Sequence, residues 1–162
     1  MAYTRAVFAL SAILPLLSST AAFAKPIVVL TLSQATVQTA ADGVSHLAAL
    51  NDTVPVARGV AIRYTISAKD LGSDPARHLA LTGHVPAGTA YVQGSVRGPG
   101  GHAEFSLDGK SFSAHPMITV KTAAGDVIEP ADAALYVMVR WVKDGPLAAK
   151  SVTAFSYDVQ VQ

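Results

Sequence analysis

The strongest constraint on this chain is a two-residue alternation of apolar and polar side chains over residues 60–69. Successive side chains of an extended strand point to opposite faces, so such a stretch has one buried face and one face toward solvent. The apolar positions are Val60, Ile62, Tyr64, Ile66 and Ala68, and the polar ones include Arg63, Thr65, Ser67 and Lys69. No segment carries a long apolar stripe at the 3.6-residue spacing of a helix. The pattern predicts an all-β fold.

Two later segments continue this pattern. Residues 135–142 are largely apolar on both faces, which predicts a strand in the middle of a sheet, and residues 153–161 alternate again. Further strands are predicted at residues 27–39, 44–50, 77–82, 89–92 and 102–106. Asp42-Gly43 lies between the first two of these strands, and this dipeptide favours the two-residue turn of a β-hairpin.

The segments between the predicted strands are rich in glycine, proline and aspartate. Examples are Gly72-Ser73-Asp74-Pro75, Val85-Pro86-Ala87-Gly88 and Asp144-Gly145-Pro146. Short strands separated by such turns are typical of a β-sandwich or barrel. We therefore predict one antiparallel β-sandwich of about seven to nine strands. At most one turn of helix is expected, near residues 130–134.

Residues 1–24 have the organisation of a secretory signal peptide. Arg5 is followed by a short, mostly apolar stretch over residues 6–17 and then by Ala22-Phe23-Ala24, whose small residues suit a signal peptidase. The alternative is a transmembrane anchor, which needs about 20 apolar residues, whereas this stretch is shorter and contains a proline. Cleavage after Ala24 removes Arg5 and lowers the net charge from +1 to zero. We expect residues 25–162 to form an exported domain.

The composition excludes several classes of function. The chain has 162 residues, no cysteine, and 12 basic against 11 acidic residues. Without cysteine it has no disulfide, no thiolate nucleophile, no cysteine-ligated metal centre and no lipoprotein anchor. Because nucleic-acid binding needs clustered positive charge, the balanced charge argues against a DNA or RNA partner. A chain of this length can hold one domain together by its core alone.

Residues 58–95 contain an ordered series of short motifs. In sequence order they are Gly59, Tyr64-Thr65-Ile66, Gly72, Pro75-Ala76, Pro86-Ala87-Gly88 and Tyr91-Val92-Gln93-Gly94-Ser95. This order resembles the bacterial cell-surface repeat domain known as domain of unknown function eleven. The departures at Asp70 and Gly83 are predicted to lie in turns and to leave the alternation intact. The resemblance implies an immunoglobulin-like β-sandwich in a surface or secreted protein, with no catalytic residues to transfer.

Histidines and acidic residues are the candidates for metal or catalytic chemistry. His78 and His84 are predicted on one strand face, but six residues along a strand span about 20 Å, too far for two ligands of one metal ion. His102 and Glu104 could form a metal site with a third ligand such as His115, although a solvent-exposed strand face explains them equally well. No nucleophile elbow, P-loop or dinucleotide motif is present. We predict no catalytic, cofactor-binding or metal-binding residue and no enzyme.

Two further features have a structural explanation. Residues 106–112 are similar to an Asp-box, a hairpin device in which Asp108 and a serine bond the turn backbone. Trp141 is the only tryptophan and lies within a strand, which is unfavourable for a carbohydrate-binding platform. Tyr136, Met138 and Val142 on the second face of that strand could cover a partner, but we interpret them as core.

These observations favour a non-enzymatic exported domain, periplasmic, at the cell surface or secreted, that acts in envelope structure or protein interaction. Such a domain can bind a protein or envelope partner by adding a strand across an exposed sheet edge. The final strand, residues 151–162, ends the chain without a polar tail and is the predicted edge. The alternative is a module that binds a small ligand or glycan through the loops at one end of the sandwich. Neither a cofactor nor a transmembrane span in the mature chain is expected.

Overall fold

A computed structural model of the chain describes residues 25–40, 44–50 and 54–162. The predicted signal peptide and the Asp42-Gly43 turn lie outside the described residues. The described residues form ten β-strands and one short 3₁₀ helix, and none of their helices is long and apolar enough to cross a membrane. The strands are β1 (Val28–Thr39), β2 (Ser45–Ala49), β3 (Ala61–Asp70), β4 (Ala80–His84), β5 (Thr89–Tyr91), β6 (Gly101–Ser106), β7 (Met117–Thr122), β8 (Gly125–Pro130), β9 (Met138–Lys143) and β10 (Val152–Val161).

The strands form three antiparallel sheets, and the all-β prediction is confirmed. The largest sheet has the order β2-β1-β3-β10-β5, the second has the order β4-β9-β6, and β7 pairs with β8 alone. The sheet order makes β9 a central strand, as its two apolar faces predict. The predicted helical turn is the 3₁₀ helix Ala133–Leu135, which Asp132 caps by accepting a hydrogen bond from Ala134 N at 2.9 Å.

The core lies between the five-stranded and the three-stranded sheet. From β9, the Trp141 ring stacks on Phe155 of β10 with ring centroids 6.3 Å apart. Phe155 in turn stacks on Tyr157 at 5.5 Å. The remaining large core side chains come from alternate positions of β3, β4, β9 and β10 and include Ile62, Ile66, Leu81, Val139 and Val159. Packing of two sheets face to face through alternate side chains makes the fold a β-sandwich.

Seven of the strands have the four-plus-three layering of an immunoglobulin-like sandwich, β1-β3-β10-β5 against β4-β9-β6. Their connection differs from the immunoglobulin constant-type order in one exchange. The seventh of these strands, β10, pairs with the second, and the fifth, β6, pairs with the sixth, β9. In the constant-type order the fifth strand pairs with the second and the seventh with the sixth.

This exchange overturns the prediction that the final strand is a sheet edge. β10 pairs with β3 on one side over nine registered residues, from Val152↔Lys69 to Gln160↔Ala61. On its other side it pairs with β5 and, through Ser156, with Arg97. The strand is therefore central and belongs to the core.

The hairpin β7–β8 is an insertion between the neighbouring strands β6 and β9, and the sequence did not predict it. All six residues of β8 are exposed. Because β8 has no buried face, its sequence shows no apolar–polar alternation, and the alternation in β7 is limited to the half-buried Ile118 and Val120. The two strands of this hairpin raise the strand number from the predicted seven to nine to ten, whereas the short β5 corresponds to the strand predicted at residues 89–92.

Candidate functional site

The two histidines predicted on one strand face do not form a site. His78 lies ahead of β4 in a left-handed conformation (φ 55°), so the strand begins at Ala80 instead of residue 77. His84 ends β4, and both histidines are exposed. Within residues 25–40, 44–50 and 54–162, no cluster of three histidine or acidic side chains could hold a metal ion.

The candidate pair His102 and Glu104 also has other partners. Arg140 Nε lies 2.7 Å from Glu104 Oε2, and its guanidinium also covers the ring of Phe112 at 4.0 Å from the centroid. His102 Nδ1 lies 3.1 Å from Asp144 Oδ1. The carboxylate of Glu104 is thus neutralised by an arginine, which takes the place that a metal ion would need.

The Asp-box-like turn is a structural device, as interpreted from the sequence. Asp108 Oδ1 accepts hydrogen bonds from Lys110 N and Ser111 N, both at 2.8 Å, and from Ser106 Oγ at 3.0 Å. Ser106 Oγ accepts from Gly109 N at 2.9 Å. These donors hold the pKa of the Asp108 carboxyl well below its usual range, the backbone N–H groups contributing most. The carboxylate is therefore committed to the turn.

Trp141 cannot serve as a carbohydrate platform because it is 1% exposed in the core. Gly101 makes room for it: a Cβ at that glycine would lie 2.5 Å from the indole Cε2. On the other face of the same strand, Met138 and Val142 are half-buried. Tyr136, just before the strand, stacks on Phe105 with centroids 4.7 Å apart.

A buried ion pair on the outer face of the five-stranded sheet was not identified from the sequence. Asp158, 7% exposed, accepts from Arg63 Nε at 2.7 Å and from Arg63 Nη2 at 2.8 Å. The hydrogen bond that Arg63 donates to Asp158 raises the pKa of Arg63. Arg97 Nη1 lies 3.4 Å from the same carboxylate, and Ser95 Oγ accepts from Asp158 N at 3.0 Å. The cluster joins β3, β10 and the segment after β5, and both oxygens of its carboxylate are held by arginine side chains.

The least satisfied part of the fold is the inner face of β1. Leu30 and Leu32 stand opposite Ala68 and Ile66 of β3 and so point to the core side of the sheet. Yet they are 57% and 64% exposed, because the three-stranded sheet above them ends at β4 and does not reach over β1. No described element therefore covers these two leucines, although they lie on the core-facing side of the sheet.

These leucines form the floor of an apolar trough of about 440 Å³. Its other walls are Tyr64 and Ile66 of β3, Gly83 of β4 and Tyr157 of β10. Among the described residues that line the trough there is no aspartate, glutamate, lysine or arginine, and the one histidine is His84. The trough therefore suits an uncharged, apolar occupant.

The trough wall is fixed by a close packing of Tyr157 against β4. Tyr157 Oη donates a hydrogen bond to the backbone oxygen of His84 at 2.5 Å, and the ring stacks on Tyr64 at 5.6 Å. Burial raises the pKa of Tyr157 well above its usual range. A Cβ at Gly83 would lie 2.5 Å from Tyr157 Oη, so the absence of a side chain at that position permits the contact.

Two strand edges that lack backbone partners among the described residues border this trough. Leu71 N donates to Ile27 O, which places the odd-numbered backbone groups of β1 toward β3 and the even-numbered ones outward. On that outward side β2 pairs only with residues 35–39. The outward groups of Val28, Leu30 and Leu32 therefore have no backbone partner within the part of the chain that the structure describes.

The edge of β4 is open in the same way. Leu79 O accepts from Lys143 N, and Val85 N donates to Val137 O, so the odd-numbered backbone groups face β9. The groups of Ala80 and Thr82 point outward and meet no other described strand. We call this region the open side: residues 28–34 of β1, the edge of β4 and the trough between them.

The open side has the features of a surface that binds an extended strand. Unpaired backbone N–H and C=O groups recognise another extended backbone, and the trough accepts every second side chain of such a strand. Most trough residues contribute aliphatic and aromatic carbon; Tyr157 Oη is already bonded to His84 O, and Thr82 and His84 are the other polar side chains of the lining. No protein-family model, no curated protein and no solved structure matches this chain. The resemblance to the cell-surface repeat domain therefore stays a prediction, and the function is argued from the open side.

Proposed function

We propose that this chain is a non-enzymatic exported domain of the cell envelope or secreted fraction, which binds a protein partner through the open side. One observation carries the proposal: an apolar trough, with Leu32 64% exposed, lies between two strand edges that lack backbone partners among the described residues. Export itself rests on the signal-like organisation of residues 1–24.

The chemistry of the open side favours a polypeptide over a glycan or a polar small molecule. A free strand edge offers alternating donors and acceptors at the spacing of a peptide backbone, which gives affinity for an extended segment. Glycan sites use exposed aromatic platforms, and the only tryptophan, Trp141, is buried. A partner strand would bury Leu30 and Leu32 and pair the outward groups of β1 or β4.

Site-specific photo-crosslinking in the native cells tests the binding surface. A benzophenone side chain is placed at Leu32 of the full chain, and the matched control carries it at Val152, which is 59% exposed and points to the outer face of the same sheet. We expect adducts at position 32 and none at position 152. Adding Leu30→Asp should abolish the adduct at 32, because it places a charge in the trough.

Adducts at both positions, or adducts at 32 that survive Leu30→Asp, would contradict binding through the open side. Circular dichroism of each purified variant establishes that the fold is intact. The export part of the proposal has its own measurement. The mass of the mature protein should correspond to a chain that begins at Lys25, and a full-length mass in the exported fraction would contradict cleavage after Ala24.

A further inference from the structure

The edge of β1 lacks the features by which natural sheet edges avoid pairing with one another. Proline, charged side chains and bulges normally protect an edge strand. The twelve residues of β1 read VVLTLSQATVQT and contain no charge and no proline. Their register against β3 is continuous from Val28↔Asp70 to Val37↔Ala61, so the strand has no bulge. This edge is open to another uncharged extended strand.

The sequence of the free stretch is complementary to itself in antiparallel orientation. Pairing two copies about a two-fold axis at Leu30 sets Leu30 opposite the partner's Leu30 and Leu32 opposite the partner's Val28. Val28, Leu30 and Leu32 all direct their backbone groups outward, so this register makes about six hydrogen bonds. It ends at Pro26, which has no N–H to donate.

Space along β1 limits the pairing to this stretch. β2 occupies the place beside β1 from Ala35 onward, and in the proposed register residues 26–32 of the partner lie beside residues 28–34. An axis farther along β1 would bring the partner strand into the position of β2. The stretch of β1 that β2 leaves free, residues 28–34, is therefore the same stretch that carries the unpaired backbone groups.

Charge and burial favour a second copy as the occupant. A charged edge would repel a second copy of itself. Residues 28–34 of β1 carry no charged side chain, and His84 is the one acidic or basic side chain in the trough lining. A two-fold axis perpendicular to the sheet places both three-stranded sheets on the same side. The exposed leucines of the two copies then meet in one enclosed space between the two β4 edges.

We propose that the protein forms a symmetric dimer in which the β1 edges of two copies pair antiparallel about Leu30, giving one continuous ten-stranded sheet. This inference rests on the proposed function, since it names the strand that occupies the open side. The interface is isologous, so the same residues are buried in both copies.

Single-cysteine variants test the register, because the natural chain has no cysteine and no competing disulfide. Residues in a hydrogen-bonded antiparallel pair have Cα atoms about 5.5 Å apart, within the range that a disulfide spans. Under mild oxidation Leu30→Cys should form a disulfide-linked dimer in high yield, and Val152→Cys, on the outer face, should not. A mixture of Val28→Cys and Leu32→Cys chains should give the mixed disulfide in excess over either homodimer.

Light scattering on the unmodified mature protein gives the second readout. We expect about twice the monomer mass at micromolar concentration, and a monomer mass for Leu30→Lys with an unchanged circular dichroism spectrum. A monomer at all concentrations, or equal disulfide yields at positions 30 and 152, would overturn the dimer. If the photo-crosslinker at position 32 then captures a different protein in an adduct that Leu30→Asp abolishes, the proposed function stands without the dimer. If it captures nothing, both proposals fail.

Discussion

β1 and β10 belong to the same sheet and have similar sequences of alternating side chains, yet they have opposite environments. On β10 the inward residues Phe155, Tyr157 and Val159 are essentially inaccessible to solvent. On β1 the inward residues Leu30 and Leu32 are more than half exposed. The difference arises above the strands: β9 and β4 cover β10 and β3, and the three-stranded sheet ends before it reaches β1.

The comparison shows that an apolar strand face in the sequence identifies side chains that are more stable when buried, but does not show whether the fold buries them. In β10 these side chains are buried within the chain, and their burial stabilises the fold. In β1 the described residues leave Leu30 and Leu32 largely exposed, so their burial remains available as a driving force for association. The same sequence pattern thus contributes to stability in one strand and to binding in the other.

The largest expected effect separates the two regions by stability. Trp141→Ala should lower the free energy of unfolding by about 3–5 kcal/mol, because it leaves a cavity between the sheets. Leu32→Ala should change it by no more than about 0.5 kcal/mol in the dilute protein, because this side chain is largely solvated. Urea unfolding followed by circular dichroism measures both. Comparable losses in the two variants would show that Leu32 is already buried and would remove the distinction between the regions.

A smaller effect is expected where β4 contacts β10. Gly83→Ala introduces a Cβ against the ring of Tyr157, and the displacement should cost about 1–3 kcal/mol of unfolding free energy. Thr82→Ala, at the neighbouring exposed position of the same strand, is the matched control and should be close to neutral. Equal unfolding midpoints for the two variants would mean that Tyr157 does not need the space at Gly83.

The smallest effect depends on pH. Because burial raises the pKa of Tyr157, the folded chain keeps this phenol protonated at a pH where the unfolded chain ionises it. The stabilisation is complete below about pH 10, the ordinary tyrosine pKa, and is lost as the pH rises above that value. Tyr157→Phe should therefore be less stable than the natural protein by about 1 kcal/mol at pH 8, from the lost hydrogen bond to His84 O.

This difference should narrow above about pH 10, since phenylalanine has no proton to lose. Unfolding free energies of both proteins at pH 8 and at pH 10.5 provide the measurement. Measurements at pH 7 serve as the control, because neither protein titrates a tyrosine between pH 7 and pH 8. A gap that stays constant or widens with pH would contradict the burial of the phenol.

The local sequence pattern predicted that most elements are strands, and for one of them, β9, it also predicted the place within its sheet. The largely apolar faces of β9 indicated a central strand, and β4 and β6 do pair with it on its two sides. The same reasoning failed for β10, whose outward face includes Ser156 and Asp158 and looks solvent-facing in the sequence. Asp158 is buried because Arg63 lies opposite it in the register, and that pairing joins residues 95 positions apart.

The candidate site was less accessible to sequence reasoning. The motif-like residues, Glu104 and Asp108, are held by an ion pair and by turn hydrogen bonds. The residues of the open side, Leu30 and Leu32, look like ordinary core positions of an alternating strand. In the sequence this edge is distinguished only by the absence of charge and proline along β1. That absence indicates an unprotected edge only when the structure shows that β1 is an edge strand over this stretch.

The sequence alone determined that this chain forms short antiparallel strands separated by turns, because side-chain alternation and turn residues act over a few neighbouring positions. It also set the conditions under which the fold must be stable, with no cysteine and a balanced charge. Tertiary structure decided which strands lie side by side and which apolar faces are covered. These depend on contacts between distant segments, and the four-plus-three arrangement of the sheets is what leaves β1 beyond the reach of β4.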